Sequence, residues 1–161
     1  MALSKSKLKT RRGVSLVELI VVVGIIALFA SLSVPRLLKA KYNLELKGAA
    51  RTVASALLAA KTISLKEGAV AVDLSDSSAI KLCYDNNKDG ACSDAERIIQ
   101  AFPLDTGIHI SFENSVYFER GLPRNPEGGF GADTIQLIHN KTAKCLAVIY
   151  SRTGRVRINE C

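Results

Sequence analysis

The chain has 161 residues, 48% of them hydrophobic, with 22 Lys and Arg against 15 Asp and Glu and a formal net charge of +7. That length suits one small domain plus one long element. Lys5, Lys7, Lys9, Arg11 and Arg12 lie in residues 1–13 without an acid, so residues 14–161 carry only +2, and the basic balance of the whole chain is weak evidence for a generally nucleic-acid-binding body.

After the basic residues 1–13 comes GVSLVELIVVVGIIALFASLSVP, which carries a single charge, Glu18, between Arg12 and Arg36. A helix of about 20 such residues matches the hydrocarbon thickness of a bilayer. A basic leader before an apolar run reads as an export signal whose charged end stays in the cytoplasm. The run is too long for an ordinary secretory signal, and no Ala-x-Ala site follows it. Ser15 is a candidate N-cap. A lone carboxylate in this setting costs about 3 kcal/mol on insertion scales and marks a functional site by default. The competing reading is a glutamate that snorkels to the interface. Pro35 lacks an N–H and clashes one turn back, which predicts a kink or a weak point.

Residues 36–67 change from apolar all round to amphipathic. Leu38, Tyr42, Leu46, Ala49, Ala50, Val53, Leu57, Ala60 and Ser64 recur at steps of three and four, with most charges off that stripe. Gly68 is a natural stop, so one helix is expected from about residue 15 to residue 66.

Residues 68–161 read as an extracytoplasmic β-rich domain. Strands are predicted at Ala69–Leu74, Ile80–Tyr84, Arg97–Phe102, Ile108–Phe112, Thr134–His139, Cys145–Ser151 and Val156–Asn159. Gly121–Asp133, rich in Gly and Pro, reads as irregular. The expected class is α+β, a long N-terminal helix packed on one or two antiparallel sheets. The four cysteines fit two disulfides in an exported body, with three pairings open on count alone.

Two local patterns carry candidate chemistry. Asp85–Glu96, DNNKDGACSDAE, fits the calcium-loop spacing, with Asp85, Asn87, Asp89, the Ala91 carbonyl and Glu96 as oxygen ligands and Gly90 at the sharp turn. Its flanks read as strands rather than helices, so the alternative is a hairpin loop whose carboxylates cap its own backbone. Cys83 and Cys92 bracket the loop and favour a local disulfide. The second pattern is CLAVIYSRTGRVRINEC. With the turn centred on Thr153, Cys145 falls opposite Cys161, a spacing suited to a cross-strand disulfide. Leu146, Val148 and Tyr150 then share a face with Val156, Ile158 and Glu160, expected to be the core side. Arg155 and Arg157 project from the other face about 6.6 Å apart, near the spacing of successive phosphates. Arg152, Lys141 and Lys144 are candidates to extend that patch toward DNA. The alternatives are a solvated strand face and a contact to a neighbouring subunit. No nucleophile elbow, phosphate loop or zinc spacing occurs, so no enzyme activity and no required cofactor are expected. His109, in the alternating GIHISF run, is expected to face solvent.

The junction G|VSLVE, with its basic leader, apolar helix and Pro35, resembles the type IV prepilins. The resemblance implies cleavage between Gly13 and Val14 by a prepilin peptidase at the inner membrane, N-methylation of Val14, and assembly with other pilin subunits. It gives Glu18 the family's assembly role and Pro35 that of the helix-weakening proline. Val14 departs from the usual Phe. The long helix, the DNNKDG loop, the GIHISF strand and TGRVR resemble the GspH/FimT branch of minor pilins and pseudopilins, over most of residues 68–161. That implies a structural subunit of a type IV pilus or a type II secretion pseudopilus. A DNA-binding minor pilin using GRVR and a major pilin are the alternatives. The expected course is a single-pass bacterial inner-membrane precursor, then a periplasmic or extracellular filament.

Overall fold

The computed structural model describes residues 15–161, apart from residues 77, 106, 113, 114 and 143. Gly13 and Val14, the expected cleavage pair, lie outside the described residues. Helix α1 runs Leu16–Glu67, 52 residues. Its first bond is from the Leu19 N–H to the Ser15 carbonyl, 3.1 Å, and Gly68 beyond its end has φ 109°. Only glycine takes such a dihedral without strain. The chain divides into two compact units, one ending at Leu38 and the other Lys39–Cys161.

In the first unit the apolar side chains have no cover of their own: Leu16 is 72% exposed and Phe29 68%. α1 continues through Pro35. The proline removes only the donor that would reach the Ser31 carbonyl, while the bonds on the other faces of the helix can persist.

In the second unit the rest of α1 buries Leu46, Ala49, Ala50, Val53, Ala56, Leu57, Ala60 and Ser64. This is the predicted stripe with Ala56 added; Tyr42 is half-buried, and Leu38 belongs to the first unit. Val53 and Leu57 of this stripe are fully buried in the core shared with the sheets. Nine strands follow: β1 Val70–Asp73, β2 Ala79–Tyr84, β3 Ile98–Pro103, β4 Ile108–Ser111, β5 Val116–Glu119, β6 Leu122–Arg124, β7 Asp133–His139, β8 Cys145–Tyr150 and β9 Val156–Glu160. They form two antiparallel sheets, ordered β3-β2-β1-β5-β6 and β4-β7-β8-β9. Leu82 and Phe118 of the first sheet meet Ile135 and Val148 of the second against α1 in one core. Fully burying each such side chain contributes about 1.5–3 kcal/mol.

Seven of the nine strands coincide with predicted runs. The hairpin β5–β6 was not expected. Its two-residue turn has positive φ at Arg120 (51°) and Gly121 (76°), the twist that matches right-handed strands. Pro123 is tolerated because β6 is an edge strand. The turn is seated on α1: the Gly121 N–H donates to Ser64 Oγ at 3.0 Å, and Ser64 Oγ donates to the Lys61 carbonyl at 2.8 Å. A side chain at position 121 would meet Leu65 Cδ2 at 2.7 Å.

The β8–β9 register pairs Leu146 with Glu160 and Tyr150 with Val156, as the centring on Thr153 predicts. Leu146, Val148 and Tyr150 are buried, but Ile158 and Glu160 are exposed. β9 is the edge strand, so its half of the expected core face stands beyond the cover of α1. Cys83 is bonded to Cys92 and Cys145 to Cys161, with Cα separations of 5.8 and 5.5 Å.

Candidate functional site

Glu18 occupies the first turn of α1, the acid in an otherwise apolar surface. A carboxylate there complements the positive end of the helix dipole. α1 is the one helix among the described residues long and apolar enough to cross a membrane.

The loop after β2 closes on itself. Asp85 is 2% exposed. Its Oδ1 accepts N–H bonds from Lys88 (2.6 Å) and Asp89 (3.2 Å), and its Oδ2 accepts one from Gly90 (2.9 Å). Glu96 accepts from Asn86 through Oε1 and from Ser93 through Oε2, each at 3.0 Å. Asn87 Nδ2 donates to Asp89 Oδ2, and Asp89 Oδ1 accepts the Ala91 N–H. The oxygens expected as calcium ligands are thus turned onto local amides, in the self-capped form of the loop. Burial raises the Asp85 pKa, against the lowering effect of the Gly90 and Lys88 amides. Among the described residues no group of three or more His, Cys, Asp or Glu is arranged to hold a metal. Gly90 has φ 75°, and a Cβ there would fall 2.8 Å from Ser115 Cβ, so the loop packs against the entry to β5. Lys88 Nζ fastens it further by donating to Glu119 Oε1 at 2.7 Å.

The five basic residues of the expected patch do not form one surface. Arg152 and Arg155 lie in or beside the β8–β9 turn, with Arg157 opposite Ile149 near that end, and all three are exposed. Lys141 and Lys144 lie in the β7–β8 connection, at the other end of β8. Six strand residues separate the two ends by about 17 Å. A hairpin register that pairs Cys145 with Cys161 already requires this separation. Lys61 of α1, which sequence reasoning did not single out, joins the arginine end instead. Its Nζ donates to the Thr153 and Gly154 carbonyls, each at 3.2 Å.

His109 is exposed, as expected, whereas His139 is buried. Its Nδ1 accepts the Lys141 N–H at 3.0 Å, which leaves Nε2 to donate to Glu45 Oε2 at 3.1 Å. A neutral imidazole satisfies both bonds at once. Glu45 falls off the apolar stripe, so nothing in the spacing pointed to this tie.

A long apolar helix whose second half packs on antiparallel sheets is the pilin fold. Among solved structures it is similar to the minor pseudopilin EpsH from the Type 2 Secretion System of Vibrio cholerae, with a TM-score of 0.53 and 14% identity over 72% of this chain and 97% of that one. No family sequence profile matches this chain, and no curated protein does.

Proposed function

We propose that the chain is a minor pilin or pseudopilin, a structural subunit of a type IV pilus or type II secretion pseudopilus. In this reading it is made as a single-pass inner-membrane precursor with residues 1–13 in the cytoplasm. Prepilin peptidase cuts between Gly13 and Val14, Val14 is N-methylated, and residues 14–35 then pack among the same segments of other pilin subunits in a periplasmic or extracellular filament. The observation that carries the reading is the division of α1. Its first part presents an uncovered apolar surface with one acid in its first turn, while its second part is the core of a β body. The pseudopilin-like fold supports it. Mass analysis of the chain from cells is expected to show a mature form beginning at a methylated Val14. Gly13→Leu should leave the leader attached. An uncut wild-type chain in cells that hold the peptidase would refute the processing.

A second reading has its own observation. Arg152 and Arg155 at the β8–β9 turn and Arg157 just beyond it in β9 are all exposed, and among the described residues none is in an ion pair. Such a group can contact phosphates without reading sequence. Retardation of duplex DNA by the full chain in detergent should then fall steeply with salt and be lost in Arg155→Ala/Arg157→Ala. Equal retardation by that variant excludes this surface.

A further inference from the structure

We propose that the lysine-lined cavity beside Asn43 holds the phosphate of an anionic phospholipid headgroup. The cavity, about 260 Å³, is lined by Lys39 and Asn43 of α1 and by Lys141, Thr142 and Lys144 of the β7–β8 connection. Lys39 and Asn43 are four apart and share a helix face. Three lysines line it, with no acid among the described lining residues, and Lys141 Nζ also lies over the Tyr42 ring, 5.6 Å from its centroid. An adjoining cavity, which shares Asn43 and Lys144, adds Lys47 together with Glu160 and Cys161. Glu45, a nearby acid on α1, is taken up by His139 at 3.1 Å and Lys41 at 3.6 Å. Gathered like charges repel unless an anion sits among them.

The second observation is independent of charge. Asn43 Oδ1 and Thr142 Oγ1 are buried side-chain atoms with no hydrogen-bond partner among the described residues. Both residues line this cavity. Buried polar atoms are rarely left so. The hydroxyl can donate to a phosphate oxygen, and rotating the Asn43 amide presents its NH₂ to another.

Position along the chain selects the source of the phosphate. Lys39 follows Pro35, the last residue of the stretch read as membrane-spanning, by four residues. Four residues reach at most about 14 Å when fully extended and about 6 Å as helix. The headgroup layer on each side of a bilayer is roughly 5–8 Å deep. Lysine side chains reach toward that layer readily. Lys39 is therefore held near the phosphates for as long as the apolar segment stays in the membrane. The arginine end, the other basic group, lies a strand's length away. The inference rests on the membrane-anchored reading of residues 14–35.

The test uses the full chain in detergent micelles, exposed to equal amounts of phosphatidylglycerol and phosphatidylcholine, with retained lipid counted by native mass spectrometry. The wild type is expected to favour phosphatidylglycerol about tenfold, a ratio that a few lysines near an anionic surface can supply. Lys39→Gln/Lys141→Gln/Lys144→Gln should bring the ratio near one. Thr142→Val should lower it several-fold with an unchanged melting temperature, since its hydroxyl bonds to none of the described residues. Arg155→Gln/Arg157→Gln should keep it. A wild-type ratio near one, or a preference that survives the triple lysine change, overturns the proposal. Loss of the preference to millimolar inorganic phosphate assigns a free-anion site, and loss to a short DNA duplex assigns a nucleic-acid site; either overturns it. A chain that fails to enter phosphatidylcholine vesicles sinks the membrane reading too, whereas entry without headgroup preference sinks the site alone.

Discussion

Glu18→Ala is expected to leave cleavage after Gly13 intact and to remove the chain almost entirely from sheared filament fractions. In the proposed processing, cleavage of the leader would free an amine at Val14, a cation that would lie among apolar helices. A neighbouring subunit's Glu18 one axial step away can neutralise it. Each buried charge alone is expensive, and pairing largely offsets that cost. An unpaired charge in such a setting costs about 3 kcal/mol on insertion scales, which corresponds to roughly a hundredfold lower incorporation. Glu18→Gln should fail almost as badly, because it keeps the size and loses the charge. Normal recovery of either variant in sheared filaments, measured against total processed chain, would defeat the pairing.

The second large effect belongs to the loop after β2. Asp85→Ala strands the N–H groups of Lys88, Asp89 and Gly90 around a site that is 2% exposed. An unsatisfied buried donor costs about 1–3 kcal/mol, so the loss should reach about 3 kcal/mol and lower the melting temperature by roughly 10 °C. The pH dependence has a definite sign. Burial raises the Asp85 pKa in the fold, so the folded state keeps this proton longer than the unfolded chain does. The part of Asp85's contribution that depends on its proton is then fully present below the ordinary carboxylate range near pH 4 and is lost as pH rises through the raised folded value. Asp85→Asn should abolish that slope in denaturant titrations while retaining one oxygen acceptor. Added calcium is expected to leave the wild-type melting temperature in place, because both Asp85 oxygens already face amides. A rise of several degrees with calcium, lost in Asp85→Asn, would overturn the self-capped reading.

Residue types with strong periodicity told most about the fold. The apolar run, the stripe from Leu46 to Ser64 and the β-branched runs gave the helix and seven strands, because burial on one face imposes a period that sequence displays. The hairpin β5–β6 escaped notice because Arg120–Gly121 is a less familiar turn pair and Pro123 argues against a strand anywhere but at an edge. Edge position is a property of the sheet order, which no local window contains. The same holds for the candidate sites. The pairing of Cys145 with Cys161 followed from counting about Thr153, and that count also places Lys144 and Arg152 at opposite ends of β8. Joining them into one patch ignored it. The bonds made by Lys61 and Ser64 and the Glu45–His139 bond stayed hidden because each is a polar contact across 55 or more residues between a helix and a turn or strand.

The turns seated on α1 also bear on how a filament subunit would carry force. Gly121 of the first sheet is bonded to Ser64, and Thr153 and Gly154 of the second are bonded to Lys61, within one turn of the same helix. Tension drawn along α1 reaches both sheets at adjacent anchor points. The load is shared between them, and neither sheet can be peeled from the helix at that end without its partner being strained as well.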